Sequence, residues 1–349
     1  MTSRTSLRLL ARSFAAAAML CVLLAAARPV VAQQPYHVID RWKLGGEGFW
    51  DYLLVDSPAH RLYLTRGAHV DVVDTQTGKL AGSITGLKGT HGVALDPDGK
   101  VGYISDGGAN AVIVFDRATL AILATIPAGT GPDGITYEPA TKTVWAFNGR
   151  SKNVTVIDAA TRKVVATIAL PGKPEFAVVD GKGTVFNNIE DKNEIVRLDA
   201  HALKLTAEWP LKECESPSGL AFDVPGARLF PVCDGKKMAV VDSKTGKVLA
   251  NPAIGDGPDA AGWDAAHKLA FASSGDGILS VVDAASADYK TIESLVTQRG
   301  ARTMAYDAAN DRIYLVTADF GPRPAPTPEN PRPRPAMVPD SFVVLVVGR

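Results

Sequence analysis

The sequence has few cysteines, few aromatic residues and no excess of either charge. It contains three cysteines in 349 residues, 7% aromatic residues, and 37 basic side chains against 37 acidic ones. Balanced charge gives the chain no global attraction to nucleic acid or to an anionic membrane surface. Three common catalytic signatures are also missing: the Gly-x-Ser-x-Gly elbow, the His-Glu-x-x-His helix and the phosphate-binding glycine loop. The sequence therefore predicts no particular catalytic residue.

Residues 1–32 have the pattern of an export signal. Three arginines precede an apolar stretch over residues 14–27, and the short side chains of residues 30–32 occupy the positions that a signal peptidase reads. We predict cleavage after residue 32. A lipid anchor at Cys21 is the alternative, but Leu20 stands where a small residue is required.

The predicted mature chain is a single domain of residues 33–349. The removed segment contains four arginines and no acidic residue, so the mature chain keeps 33 basic side chains against 37 acidic ones. No later apolar run is long enough to span a bilayer. The sequence therefore predicts a periplasmic or secreted protein without a membrane span.

An internal repeat runs through the mature chain. An acidic residue recurs at intervals of 40 to 43, at Asp56, Asp96, Glu138, Asp180, Asp223, Asp264 and Asp307. Between these positions, short apolar runs alternate with period two and are bounded by Gly, Pro, Asp and Asn, which is typical of strands and tight turns. Four strands fit each repeat. Seven such repeats predict an all-β fold, a seven-bladed β-propeller with four-stranded antiparallel blades.

The two ends of the mature chain predict how the ring closes. The last repeat offers only three strands, near residues 301–306, 312–317 and 342–347, while an unpaired strand over residues 36–44 precedes the first repeat. A bare sheet edge is an aggregation hazard. We therefore expect the N-terminal strand to complete the last blade.

A proline-rich insertion, residues 321–339, interrupts the last blade. Its eight prolines favour an extended polyproline-like backbone, and it carries Arg323, Arg332 and Arg334. Two interpretations stay open at this stage. The insertion is either a lid over the propeller axis or a solvated, partner-binding loop.

A four-residue slot recurs in the repeats as Tyr63-Leu64-Thr65-Arg66, Tyr103-Ile104-Ser105-Asp106 and Trp145-Ala146-Phe147-Asn148. With this slot, the repeats resemble the Tyr-Val-Thr-Asn (YVTN) β-propeller repeat of exported bacterial YncE-like proteins. The resemblance covers essentially the whole mature chain. It implies a seven-bladed propeller and export, and it implies no reaction, because one fold serves many functions.

One position in each repeat is expected to face the propeller axis. Counting five residues back from each repeated acid gives the residue just before the innermost strand. These positions, called the ring residues below, are Asp51, His91, Asp133, Glu175, Ser218, Asp259 and Arg302. Converging carboxylates raise one another's pKa unless a cation or hydrogen bonds compensate, so the ring is either a binding site or the polar lining of a hydrated channel. Trp50, Tyr52 and Phe176 flank ring residues and are candidates for an apolar wall beside them.

The order of the ring residues predicts a metal site. Arg302 lies between the blades of Asp259 and Asp51, so we expect it to pair with both. His91, Asp133 and Glu175 then remain on three successive blades without a cation among them. One nitrogen and two carboxylates suit a divalent metal such as Ca²⁺, Mn²⁺ or Zn²⁺.

The mature chain keeps two cysteines, Cys214 and Cys233. Cys214 precedes the first strand of its repeat, and Cys233 ends the second strand on the same face. Antiparallel pairing brings the two close together, and export favours oxidation. The sequence therefore predicts a disulfide between them.

Three functional hypotheses follow from this pattern. The first is a monomeric binding or scaffold protein that recognises a small ligand, a metal or a protein partner on the ring face. The second is a metal-dependent enzyme that resembles the propeller lactonases, hydrolases or lyases. The third is nucleic-acid binding, which the net charge and the acidic ring oppose.

Overall fold

The computed structural model describes residues 34–327, 333 and 335–349, and the regular secondary structure in this part of the chain is almost entirely β-strand. A single 3-10 turn, Glu190–Lys192, is the helical element within that part. No helix in the described ranges is long and apolar enough to cross a membrane. Residues Pro35–Arg349 form one compact unit.

The strands form seven sheets within the described ranges, and the first six sheets each use consecutive strands. The strands are β1 His37–Lys43; in blade 1, β2 Leu53–Asp56, β3 Arg61–Thr65, β4 Val70–Asp74 and β5 Lys79–Ile84; in blade 2, β6 Thr90–Leu95, β7 Val101–Asp106, β8 Ala111–Asp116 and β9 Ile122–Pro127; in blade 3, β10 Pro132–Glu138, β11 Thr143–Asn148, β12 Asn153–Asp158 and β13 Lys163–Ala169; in blade 4, β14 Pro174–Val179, β15 Thr184–Ile189, β16 Glu194–Asp199 and β17 Lys204–Pro210; in blade 5, β18 Leu220–Asp223, β19 Arg228–Cys233, β20 Lys237–Met238, β21 Val240–Asp242 and β22 Val248–Ala250; in blade 6, β23 Pro258–Asp264, β24 Leu269–Ser274, β25 Ile278–Asp283 and β26 Thr291–Val296; and in blade 7, β27 Met304–Asp307, β28 Arg312–Thr317 and β29 Val343–Gly348.

The N-terminal strand closes the last blade, as the sequence predicts. Blade 7 has the strand order β1-β29-β28-β27, and β1 runs antiparallel to β29 from the pair His37 and Gly348 to the pair Lys43 and Val343. Both ends of this polypeptide segment therefore lie in one sheet. Six of the antiparallel sheets have four strands, and in blade 5 the third strand is divided into β20 and β21, which both pair with β19. Seven such sheets in a ring are a β-propeller, and the predicted fold class is confirmed.

The repeated acids lie at the turns where the sequence places them, and some also join neighbouring blades. The Oδ1 atom of Asp96 accepts a hydrogen bond from the backbone N–H of Asp98 at 3.0 Å. Glu138 is fully buried and accepts from the N–H of Gly183 in the next blade at 3.0 Å. Turn chemistry accounts for the first contact, while the second stabilises the packing of one blade on another.

The hydrophobic core is divided among the interfaces between blades. Within the described residues, seven apolar clusters each combine side chains of two adjacent blades. In the cluster between blades 1 and 2, for example, the rings of Tyr63 and Phe115 are 5.8 Å apart. A single twisted sheet cannot bury both of its faces, so each blade depends on its two neighbours.

The structure confirms the predicted disulfide. Cys214 and Cys233 are bonded to each other with their Cα atoms 5.2 Å apart. Cys214 lies in the loop before β18 and Cys233 ends β19. The bond therefore fixes the loop that leads into blade 5, on the face where the innermost strands begin.

Candidate functional site

All seven ring residues meet at one mouth of the propeller. They line a cavity of about 480 Å³, called the mouth cavity below. Other residues that line it include Trp50, Tyr52, Lys173 and Glu190. The repeat spacing alone was therefore sufficient to predict which side chains converge.

A shift in strand pairing explains why these side chains face the axis. In blade 3 the register between β10 and β11 shifts between Pro132 and Ile135, and Asp133 lies within the shift. Corresponding shifts surround the ring residues His91, Glu175 and Asp259. A bulge re-aims a side chain away from the regular alternation of its strand. The innermost strands thus turn their first residues toward the cavity.

Buried polar side chains on the second strands hold the backbone of the ring in place. The hydrogen bonds run from Thr65 to the carbonyl of His91, from Ser105 to that of Asp133, from Asn187 to that of Glu175, from Asn188 to that of Ser218, and from Ser273 to that of Arg302. Four of these five bonds cross from one blade to the next. Sequence reasoning missed this set, although a polar residue at the third position of the Tyr-Val-Thr-Asn slot is the signal that identifies Thr65 and Ser105.

Two carboxylates and one imidazole converge within the mouth cavity. Nδ1 of His91 lies 2.6 Å from Oδ2 of Asp51 and 3.6 Å from Oδ1 of Asp133. Potential ligand atoms of these three residues all lie within 4.8 Å of one another. The residues come from blades 1, 2 and 3 and are half-buried. One imidazole nitrogen and two carboxylate oxygens are ligands that a borderline or hard divalent cation accepts.

Glu175 is not part of this group, contrary to the ligand set expected from the sequence. Its Oε1 atom lies 2.7 Å from Nζ of Lys173, which also pairs with Glu190, and its Oε2 atom accepts from the hydroxyl of Tyr52 at 3.3 Å. Sequence reasoning missed Lys173 because its Cα position, two residues before Glu175, gave no sign that its flexible side chain turns back into the cavity. The carboxylate that joins His91 and Asp133 is Asp51.

Arg302 pairs with one of its two expected partners. Its Nη1 atom lies 3.1 Å from Oδ2 of Asp259, whereas the carboxylate of Asp51 binds His91. The charge of Asp259 raises the pKa of Arg302, against the opposing effect of burial, and the charge of Asp51 adds to the increase. Arg302 therefore interacts with Asp51 through long-range electrostatics, without a salt bridge between the two side chains.

Burial raises the pKa of Asp133, Glu175 and Asp259. The pKa of Asp133 rises to about 7, with a further contribution from the charge of Asp51, and that of Glu175 rises to about 8, with a contribution from Asp133. Burial also raises the pKa of Asp259 to about 7, although the charge of Arg302 opposes the increase. At neutral pH these carboxyl groups therefore retain protons that exposed carboxylates would lose.

The pKa of His91 shifts in the direction that favours the charged imidazolium. Burial lowers its pKa, but the hydrogen bond with Asp51 and the charges of Asp133 and Asp51 outweigh burial and raise the pKa to about 9. The imidazolium is therefore the cation that compensates Asp51 and Asp133 at neutral pH. A metal ion would compete with its proton for the same carboxylates.

The side chain of Tyr52 forms the floor of the mouth cavity. It extends from blade 1 toward blade 4, where its ring lies 5.0 Å from that of Phe176, edge to face. Tyr52 also lines a second cavity of about 740 Å³, which Phe176 lines as well. Trp50 packs instead on Phe320 and Phe342, with ring centroids 6.0 and 5.3 Å away. Of the three expected wall aromatics, Trp50 and Tyr52 line the mouth cavity, and Phe176 lines the larger cavity instead.

The described part of the proline-rich insertion lies next to this mouth. Its base is a short ladder in which Phe320 bridges to Met337 and the N–H of Gly321 donates to the carbonyl of Ala336 at 2.9 Å. Arg323 lines a further cavity together with the ring residue Arg302. The predicted Arg332 and Arg334 lie outside the described residues.

Comparisons with known proteins support the fold and leave the activity open. The chain is similar to Kuenenia stuttgartiensis hydrazine synthase, with a TM-score of 0.68 and 16% sequence identity, over 76% of this chain and 91% of that one. At this identity the likeness shows the fold alone. No family model matches the sequence, and no curated protein matches it. The seven-bladed fold implied by the YVTN-repeat resemblance is confirmed, and membership of that group stays a prediction.

Proposed function

We propose that this protein is an exported binding module whose mouth cavity holds a divalent cation at Asp51, His91 and Asp133. One observation carries the proposal: three residues from three blades bring an imidazole nitrogen and carboxylate oxygens within 4.8 Å of one another, inside a cavity lined by all seven blades. Three protein ligands leave room for a small molecule or a partner group at the cation. A mixed nitrogen and oxygen set favours Mn²⁺ or Zn²⁺ over Ca²⁺.

Export is part of the proposal. The disulfide between Cys214 and Cys233 fits an oxidising compartment. The predicted signal segment, residues 1–32, lies outside the described residues. Detection of mature protein beginning at Gln33 in a periplasmic or culture fraction tests this part directly, and a full-length cytoplasmic product contradicts it.

The cation site is tested by thermal shift and calorimetry on chelator-treated protein. We expect Mn²⁺ or Zn²⁺ to raise the unfolding midpoint, because a ligand that binds only the folded state stabilises it by mass action. Asp51→Asn and Asp133→Asn should each weaken binding about tenfold or more, as loss of a charged ligand does. Glu175→Gln is the matched control, since Glu175 lines the same cavity but bonds Lys173 and Tyr52 instead.

Two results would overturn the cation site. One is that none of Mn²⁺, Zn²⁺, Ca²⁺ and Mg²⁺ changes the unfolding midpoint of the wild type. The other is that Glu175→Gln loses binding as fully as Asp51→Asn, which would return the ligand set to the one expected from the sequence. Because the pKa of His91 is about 9, affinity should also rise roughly tenfold per pH unit between pH 7 and 8.

A metal-dependent enzyme is the second candidate function, and one observation favours it. The pKa of Glu175 is about 8, so this carboxyl group exchanges a proton near neutral pH, as a general acid or base must. The enzyme proposal is tested with a chromogenic lactone and a chromogenic ester in the presence of Mn²⁺. Hydrolysis that Glu175→Gln abolishes without loss of metal binding supports it, and the absence of turnover with both substrates counts against it.

Nucleic-acid binding is the least supported of the three hypotheses. The mouth cavity carries the carboxyl groups of Asp51, Asp133, Glu175, Glu190 and Asp259, with Lys173, Arg302 and the imidazolium of His91 as its cationic side chains. Such a surface repels phosphates unless protons or cations neutralise it. Tight binding of single-stranded DNA at physiological salt would contradict this ranking.

A further inference from the structure

A smaller cavity beside the mouth cavity is lined by cationic rather than acidic side chains. Its volume is about 270 Å³, and it shares Phe49, Trp50 and Arg302 with the mouth cavity. Arg299 and Arg323 complete its cationic lining, and Phe320 adds a third aromatic ring. This space, called the side cavity below, therefore combines three guanidinium groups with three aromatic side chains.

Within the part of the chain that the structure describes, two of the three guanidinium groups have no anionic partner. Arg302 pairs with Asp259 at 3.1 Å. Among the described residues, the side chains of Arg299 and Arg323 form neither a salt bridge nor a hydrogen bond, and both residues are exposed. A planar guanidinium presents a fork of N–H donors that matches a carboxylate. These two guanidinium groups, which lie beside a concave apolar surface, are therefore suited to binding an anionic ligand.

The aromatic wall of the side cavity is held rigidly. Arg66, which is 1% exposed, donates to the carbonyl of Glu47 at 2.8 Å and lies 3.6 Å from the ring centroid of Phe342. Trp50 packs on the same phenyl ring. Gly48 adopts φ +100°, a conformation that favours glycine. A Cβ at this position would also lie only 3.1 Å from the carbonyl oxygen of Arg66. The segment that presents Phe49 and Trp50 is therefore fixed in place before any ligand arrives.

The opposite wall is anchored as well. The carbonyl of Arg299 accepts from the hydroxyl of Thr317 at 2.7 Å, and the N–H of Arg302 donates to the carbonyl of Gly300 at 2.8 Å. Phe49, by contrast, is 68% exposed at the rim of the side cavity. An aromatic rim, a rigid wall and unpaired cations are features of a pocket that binds a small molecule.

We propose that the side cavity binds the carboxylate of a single-ring aromatic acid. The ring would pack against Trp50 and Phe320, and the carboxylate would bind Arg299 and Arg323. The volume suits this size, since a benzene molecule occupies a cavity of about 150 Å³. A monoanion is favoured over a phosphate dianion because Asp51 and Asp259 lie in the adjoining mouth cavity and would repel the second charge.

The proposal is tested by calorimetry with phenylacetate on chelator-treated protein. Phenylacetamide has the same shape without the charge, and phenyl phosphate has the ring with a larger charge. We expect phenylacetate to bind at least about tenfold more tightly than phenylacetamide, and Arg299→Gln with Arg323→Gln to remove that difference. Arg162→Gln, an exposed arginine on another part of the surface, is the matched control. Thermal unfolding of each variant shows whether its fold is retained.

The outcomes separate this site from the cation site. Asp51→Asn with Asp133→Asn removes the proposed cation ligands and should leave phenylacetate binding in place. Equal binding of acid and amide, equal binding by the double arginine variant, or no binding of phenylacetate at millimolar concentration would each overturn the proposal. Tighter binding of phenyl phosphate than of phenylacetate would overturn the choice of a monoanion.

Discussion

The hydroxyl of Tyr52 donates a hydrogen bond to Oε2 of Glu175 at 3.3 Å, and 123 residues separate the two in sequence. Tyr52 is 5% exposed, and burial raises its pKa well above the usual value, with the charge of Glu175 adding to the increase. A neutral phenol therefore faces a carboxyl group from another blade. This contact links the floor of the mouth cavity to its wall.

Tyr52→Phe should lower the free energy of unfolding by about 1 kcal/mol, because it leaves a buried carboxyl oxygen without its donor. Urea denaturation measures the change. Tyr103→Phe is the matched control: Tyr103 is fully buried, and its hydroxyl has no hydrogen-bond partner in the described part of the chain. If both substitutions cost the same, the hydroxyl of Tyr52 contributes nothing beyond packing.

Stability should fall as the pH rises from about 4 to about 8. Asp133 and Asp259 have pKa values raised to about 7 in the folded protein, and Glu175 has one of about 8. A group whose folded pKa lies above its unfolded value binds its proton more tightly in the folded state. It therefore contributes stability at low pH that is lost as the pH rises through the folded value. The pKa of His91 rises to about 9, so its contribution to stability is also lost as the pH increases.

Asp133→Asn isolates this effect from other titrating groups. An amide cannot lose a proton, so the variant should gain stability relative to the wild type as the pH increases from 5 to 8, in chelator. Chemical denaturation at several pH values measures the difference between the two proteins. A difference that stays constant over this range would show that Asp133 titrates normally.

Arg349→Gln should destabilise the closure of the ring by about 2 kcal/mol, because it removes one of the two ion-pair partners of the buried Asp264, the other being His267. Its guanidinium lies 2.9 Å from Asp311, 3.5 Å from the buried Asp264, and 4.6 Å from the ring centroid of Tyr36. These contacts join blade 6, blade 7 and the segment before β1. Lys290→Gln is the comparison, since Lys290 and Asp288 form an exposed pair, and it should cost at most about 1 kcal/mol. Equal losses would contradict the role of Arg349.

A chain that starts at residue 45 should unfold at a clearly lower temperature than one that starts at residue 33. The deletion removes β1 and exposes the backbone edge of β29. Trimming a terminus that makes no sheet contacts is normally harmless. Equal midpoints for the two chains in thermal denaturation would contradict the shared blade.

The repeat predicted the positions of the ring residues because every blade places the same backbone position at the mouth. It could not predict which side chains pair. In the ring order Arg302 lies next to two acids, Asp259 and Asp51. Its side chain adopts a conformation that pairs with Asp259. Lys173 lies outside the repeated position, yet its long side chain returns to Glu175. Spacing along a chain determines backbone register, whereas pairing depends on side-chain reach and burial, which the sequence does not state.

The shared blade also makes closure of the ring a long-range step in folding. Gly348 pairs with His37, so the ring cannot close until almost the entire described chain has been synthesised. Pairing of such distant strands is a slow step, because the entropy of the intervening chain opposes it. Blade 1 carries Asp51 and packs against blade 7, so pairing of β1 with β29 closes the ring of blades that holds the ring residues. A chain that stops before β29 therefore lacks the closed ring of blades around the mouth cavity.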